Sequence, residues 1–251
     1  MTSNIQPGCE PFSATGSPNG VLVLHGFTGN PQSMRPLAEV IANQGYRVEL
    51  PRLPGHGTTL DDMMTTNWED WSGAAEACFD ELAATCEQVA LVGLSMGGGL
   101  CAWLAERKSD IKGLVLINPL VKPPVHEMVD GLNQLIEAGV ETIESIGSDI
   151  KKEGSKEASY EATPLRCVQS LFGGVTHVYE NLGRITAPAL VLSSRDDHVV
   201  TSDNGEAIEE LAGGPVERIW LEDSYHVATL DNDAPFIESV TVSFLARVFA
   251  P

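Results

Sequence analysis

Apolar residues in this chain gather into short blocks separated by glycine, proline and polar clusters. Residues 21–25 form a β-branched apolar run that ends at Gly26, and residues 46–50 and 89–93 repeat the style with turn residues behind them. Runs of this length and make-up read as buried strands. Helix-like stretches lie between them: residues 31–43 carry Pro31 in the first turn and Gly45 just past the end, and residues 67–86 follow the polar pair Thr65-Thr66. The same reading places further strands at 113–117, 189–193 and 216–221 and further helices at 201–211 and 233–249. Strand and helix alternate, which predicts an α/β fold with a mainly parallel central sheet flanked by helices.

One region breaks the alternation. From residue 120 to about 175 no strand signal appears, and Val129, Leu132, Ile136, Val140, Ile143, Ile146 and Ile150 recur at spacings of three and four. This pattern predicts a small helical cap, inserted after the strand near 113–117. Gly131, Gly139, Gly147 and Gly154 cut it into short helices. A mobile cap of this kind would cover the carboxyl edge of the sheet, where open α/β sheets bind ligands. The expected organisation is thus a core of residues 1–119 and 176–251 with residues 120–175 as an insert, not an independent domain.

Composition narrows the function. With 251 residues, 43% of them hydrophobic, the chain can bury one full core. Its 15 basic and 35 acidic side chains give a formal charge of -20. The average surface therefore repels phosphate backbones and anionic lipid head groups, which argues against a nucleic-acid partner and leaves uncharged substrates unhindered. No apolar stretch approaches the roughly 18 residues that would cross a bilayer, so integral membrane association is not expected. The opening residues lack the apolar segment of an export signal. Cysteines at 9, 78, 86, 101 and 167 are odd in number and lack metal-like pairing. A reducing, cytoplasmic location fits.

The chemistry enters with Gly93-Leu94-Ser95-Met96-Gly97. A serine hydroxyl attacks a carbonyl only when a base removes its proton and donors stabilise the oxyanion. Here the G-x-S-x-G pattern follows the apolar run Val89-Ala90-Leu91-Val92 and precedes a helix-compatible stretch at 100–106, so Ser95 is expected on a sharp strand-to-helix turn. The backbone N–H of Met96, at the helix start, is one candidate oxyanion donor. Phe27, in His25-Gly26-Phe27-Thr28-Gly29 behind the first apolar run, is the other. His226 follows the run at 219–221 and is the candidate base. The acid should follow the run at 190–193, where Asp196 and Asp197 both qualify. His25 reads as a turn-stabilising residue, and no histidine pair has the spacing and carboxylate company of a metal site.

These residues resemble the bacterial monoacylglycerol lipases and related small carboxylesterases of the α/β-hydrolase superfamily, over nearly the whole chain. Matching stretches include His25-Gly26-Phe27-Thr28-Gly29, Leu50-Pro51-Arg52-Leu53-Pro54-Gly55-His56-Gly57-Thr58, Gly93-Leu94-Ser95-Met96-Gly97-Gly98 and Ser224-Tyr225-His226-Val227-Ala228-Thr229-Leu230-Asp231. In the family the acid looks like the Asp that precedes x-Val-Val, which selects Asp197 over Asp196. The family's usual proline after Val-Val is Thr201 here. The cap also looks familial, in Ser145-Ile146-Gly147-Ser148-Asp149 and Tyr160-Glu161-Ala162-Thr163-Pro164. The resemblance implies hydrolysis of a small-molecule acyl ester through an acyl-enzyme, with no metal or organic cofactor. Fatty acid and glycerol are the expected products. Ile146 is the expected acyl contact and Glu157 a hydrogen-bond acceptor for a glycerol head. Broad carboxylesterase activity on short and medium acyl chains is the alternative, and a non-catalytic ligand-binding module is a third reading, disfavoured because no triad member is missing.

Overall fold

The computed structural model describes residues 4–145 and 147–250. Seven strands form one sheet in the order β1 (Phe12–Ala14), β3 (Arg47–Leu50), β2 (Asn19–Leu24), β4 (Gln88–Leu94), β5 (Ile111–Ile117), β8 (Ala189–Ser194) and β9 (Val216–Leu221). All neighbours are parallel except β1, which runs antiparallel along β3. The α/β architecture predicted from the alternation is the one adopted.

The central strands are buried on both faces, which is why their sequences are continuous apolar runs and not polar alternations. Val21 and Val23 of β2 face α1 (Pro31–Asn43) and α8 (Ala234–Val248), meeting Met34, Leu37, Ile41, Phe244 and Leu245. Leu22 and Leu24 face the opposite layer, built from α3 (Trp68–Ala83), α4 (Met96–Ala105), α6 (Leu165–Asn181) and α7 (Asp203–Leu211). Each fully buried side chain of this size contributes about 1.5–3 kcal/mol relative to exposure.

The helix starts are encoded locally. Asn30 caps α1 by accepting Gln32 N–H, with Pro31 in the first turn. At α3, Asn67 and Asp70 form a reciprocal capping box. In the first half of the core, the strand β1 and the helix α2 (Leu60–Met64) have no counterpart in the hydrophobic pattern. Three residues and five residues are too few to show a period.

The insert differs from a run of helices. Its first part is helical, α5 (His126–Glu137), which carries Val129, Leu132 and Ile136 along one side, and its last part runs into α6. Gly139 then adopts φ 82° and stops the helix. Its N–H reaches Ile136 O at 3.0 Å and Val140 N–H reaches Leu135 O at 3.0 Å, the two closing bonds of a Schellman turn. Beyond it β6 (Thr142–Glu144) pairs antiparallel with β7 (Ala162–Pro164), so Ile143 lies in a two-stranded ribbon. The three-and-four spacing therefore continues past the point where the helix ends. After β7 the chain enters α6, which passes residue 175 without interruption and buries Leu171, Val175 and Val178 in the core. Insert and core thus share one helix. Among the described residues no helix is long and apolar enough to cross a membrane.

Candidate active site

Ser95 stands between β4 and α4 with φ 57° and ψ -121°, a backbone conformation that side-chain-bearing residues rarely take. The turn holds because its neighbours have no side chains. A Cβ on Gly93 would collide with the Gly97 backbone, and one on Gly97 would collide with the Leu24 carbonyl of β2. Ser95 N–H donates to Ile117 O at 3.0 Å and Ser95 O accepts from Leu120 N–H at 3.0 Å, fixing the turn to the end of β5. Met96 opens α4, where the first N–H groups have no intrahelical acceptor.

The loop after β2 passes directly beside the nucleophile. A Cβ on Gly26 would sit 3.3 Å from Ser95 Cβ, so the backbone leading into Phe27 borders Ser95. Among the described residues Phe27 N–H meets no backbone acceptor. His25 braces this loop. Its Nε2 accepts Leu53 N–H at 3.1 Å and its Nδ1 donates to Gly26 O at 3.0 Å, so the ring is a neutral tautomer used as a bracket. His56 packs edge-on against it at 5.0 Å between centroids and donates Nδ1 to Pro54 O at 2.9 Å, while its buried Nε2 meets no hydrogen-bond partner among the described residues.

Both imidazoles are inaccessible to water. Burial, followed by the charge of His56, keeps His25 well below the ordinary imidazole range, and burial pushes His56 down to about 4. The unfolded chain takes up these protons near pH 6.5 and the folded chain does not, so stability is full above that value. It falls as pH drops through the window from about 6.5 toward about 4. For His56 alone the loss is on the order of 3 kcal/mol. Urea midpoints at pH 7 and pH 4.5 should therefore converge in His56→Gln relative to wild type; an unchanged pH dependence in that variant would contradict the assignment.

The candidate base and acid meet at the carboxyl ends of β8 and β9. His226 Nδ1 donates to Asp197 Oδ2 at 2.8 Å, with the Asp197 side chain 2% exposed. Asp197 Oδ1 in turn accepts Val199 N–H and Val200 N–H, both at 2.8 Å, which gives the Asp-x-Val-Val segment a physical meaning: the acid is locked by the backbone that follows it. Asp196 is exposed, next to it in sequence but not bonded to His226. A donor bond from Nδ1 leaves Nε2 as the lone-pair nitrogen.

Three supporting residues escaped the sequence reading. Asn118, buried and held at φ 41°, ends β5. Its Nδ2 donates to His226 O at 2.8 Å and to Ser194 Oγ at 2.9 Å, and its Oδ1 accepts Ser194 N–H at 2.7 Å. It joins the end of β8 to the loop bearing His226. Asp231, fully buried, accepts Lys151 N–H, Lys152 N–H and Tyr225 N–H, each at 2.8 Å. Asp149 holds the same loops from the insert. Asp149 and Asp231 end two of the family-like stretches, and Asn118 directly follows an apolar run, but no pattern in the sequence gives any of the three its partners.

Residues 147–160 cross the sheet's carboxyl edge as an extended strap. Besides Asp149 and the Asp231 bonds, Ser155 Oγ donates to Leu230 O at 2.9 Å, Ala158 N–H to Gln32 Oε1 at 3.0 Å, and Tyr160 Oη to Gly55 O at 2.6 Å. Asn30 Nδ2 also donates to Ala158 O. These bonds fasten this half of the insert, in contrast to α5, of which only Leu132 is buried. Glu157 belongs to the strap and is not helical. Its carboxyl turns inward, so that a Cβ on Gly29 would lie 2.6 Å from Oε1. Burial raises its pKa, opposed by the charge of His226 and a hydrogen bond with Ser33. Ile146 lies outside the described residues. No group of three or more His, Cys, Asp or Glu among the described residues is arranged to hold a metal ion.

Similarity to known proteins agrees with this geometry. The family model described as serine aminopeptidase, S33 (Hydrolase_4) matches residues 17–233. The chain is 43% identical over 242 residues to a thermostable monoacylglycerol lipase of Bacillus sp. (strain H-257), covering 96% of this chain and 95% of that one. It is 28% identical over 242 residues to a carboxylesterase of Bacillus subtilis (strain 168), covering 95% and 97% of the two chains. A solved structure from work on LipS and LipT, two metagenome-derived lipolytic enzymes, superposes with a TM-score of 0.93 at 41% identity, covering 97% of this chain and all of the other. The chain belongs to the serine aminopeptidase, S33 family of the α/β-hydrolase superfamily, in its monoacylglycerol lipase and small carboxylesterase group.

Proposed function

We propose that this chain is a monoacylglycerol lipase that releases fatty acid and glycerol through an acyl-enzyme on Ser95. The observation that carries the reading is the 2.8 Å bond from His226 Nδ1 to the buried Asp197 carboxylate, in a chain whose Ser95 stands on a strained strand-to-helix turn. His226 Nε2 takes the Ser95 proton as Oγ attacks the ester carbonyl. The oxyanion is held by the N–H groups of Phe27 and Met96. Collapse of the tetrahedral species expels glycerol, protonated by the imidazolium. Water, deprotonated by the same ring, then cleaves the acyl-enzyme and regenerates Ser95. Core and insert act as one unit, residues 1–119 and 176–251 carrying the triad and 120–175 the substrate cover, and the setting is cytoplasmic.

Glu157 supplies the head-group chemistry in this reading. Its inward carboxyl, between Gly29 and Ser33, accepts hydrogen bonds from the free glycerol hydroxyls, which di- and triacylglycerols progressively lack. Rates on mono-, di- and triacylglycerols of equal acyl length test it. The monoacylglycerol is expected to be preferred, and Glu157→Gln should lower kcat/KM on it by about 10-fold or more, while a methyl ester of the same acid changes little. Equal rates on all three glycerides would instead assign a broad carboxylesterase, the activity named for the Bacillus subtilis relative.

A further inference from the structure

Asp149 lies in the strap, yet its hydrogen bonds among the described residues go to the two loops that carry Asp197 and His226. Its Oδ2 accepts His226 N–H at 3.0 Å and His198 N–H at 3.2 Å, and its Oδ1 accepts His198 Nδ1 at 2.8 Å. Its backbone carbonyl accepts Val227 N–H at 3.1 Å. His198 follows Asp197 directly, and Val227 follows His226. One carboxylate oxygen therefore spans the gap between the loops immediately beside the Asp197–His226 bond. The side chain is only 11% exposed, so water does not readily replace it.

Asp149 is itself held still. Two and three residues further on, Lys151 N–H and Lys152 N–H are fixed by the buried Asp231, which also takes Tyr225 N–H, one residue before His226. The His198 ring packs edge-on against Tyr225 at 4.5 Å between centroids, closing the same junction from outside. Strap, acid loop and base loop thus form one hydrogen-bonded unit with Asp149 at its centre.

We propose that Asp149 is a positioning residue for ester hydrolysis, clamping the Asp197 loop to the His226 loop so that the acid and base align only while the strap is seated. The proposal rests on the Ser95–His226–Asp197 reading above. A mispositioned pair costs rate, not substrate affinity, because orientation enters through the transition state.

Three variants test it on a water-soluble p-nitrophenyl ester, with folding checked by circular dichroism and the His226 Nδ1 proton followed at low field by NMR. Asp149→Ala removes the acceptor and is expected to lower kcat by about 10- to 100-fold with KM within about threefold. Its low-field resonance should broaden or vanish. Asp149→Asn keeps one oxygen for the two backbone N–H groups and should recover most of that loss. Asp149→Glu keeps the charge but displaces it, and should stay at least about 10-fold impaired. Should the alanine variant not fold, the order of Asn above Glu decides alone. Wild-type kcat in folded Asp149→Ala or in Asp149→Glu, or Asn no better than Glu, overturns the proposal. Ser95→Ala and His226→Ala run alongside: activity retained in these would remove the triad reading itself, whereas their inactivity beside unaffected Asp149 variants would remove only the clamp.

Discussion

Ser95→Ala is expected to lower kcat by about a millionfold, to the level left by binding and the oxyanion donors alone. The size follows from the unit character of the site: without the hydroxyl, His226 and Asp197 have nothing to activate. The fold should survive, because the turn depends on Gly93 and Gly97, whose absent side chains make room for the Gly97 and Leu24 backbones, and not on the hydroxyl of Ser95. A fluorophosphonate probe should label the wild-type protein at one site and fail on Ser95→Ala. Labelling that persists in the variant, or that never occurs in the intact protein, would remove the serine hydrolase mechanism.

Asp197→Asn should cost about 10⁴-fold in kcat, and Asp196→Asn almost nothing. The two carboxylates are adjacent in sequence but differ in every physical respect. Asp197 receives His226 Nδ1 at 2.8 Å and two backbone N–H groups on its other oxygen. Asp196 is exposed at the loop surface. An amide at 197 can present its NH₂ to Nδ1, which turns the imidazole into the tautomer whose Nε2 carries the proton and cannot accept one from Ser95. KM should stay near the wild-type value, since both oxygens of Asp197 are taken up by His226 and by the Val199 and Val200 N–H groups. Comparable losses in both variants would mean that the charge of the loop matters and the orientation of His226 does not.

The two regimes of the insert bear on how substrate enters. The strap at 147–160 is bonded to the loops after β2, β8 and β9, whereas α5 buries one residue and shows Val125, Met128 and Leu135 to solvent. A cover that is mobile as a whole, as the glycine-rich sequence suggests, would break Asp149 from the loops of Asp197 and His226, and Lys151 and Lys152 from Asp231, each time it opened. Motion confined to α5 and its ribbon avoids that conflict.

Much of this molecule is written in short stretches of chain. Buried parallel strands need apolar residues on both faces, so β2, β4, β5 and β8 announce themselves without knowledge of their neighbours. The turn at Ser95 is equally local, because a strand, two glycines and a helix start within a few residues leave the backbone little choice. Where geometry depends on partners far along the chain, the pattern loses its grip. The three-and-four spacing from Val129 to Ile150 predicts a series of short helices; Gly139, in the left-handed region, follows the end of the first, but the pairing of Ile143 with Thr163 makes the next stretch a ribbon. Asp196 and Asp197 were equal until a family resemblance separated them; in the fold, burial and Nδ1 of His226 distinguish them. Asp149 and Glu157 have no motif at all in the hydrophobic pattern. Asp149 meets His226 across 77 residues of chain because a polar strap is laid over the edge of an apolar sheet. Local sequence thus determined the sheet and the turn at Ser95, where steric limits act between near neighbours, and only the tertiary structure decided what holds Asp197 and His226 in place.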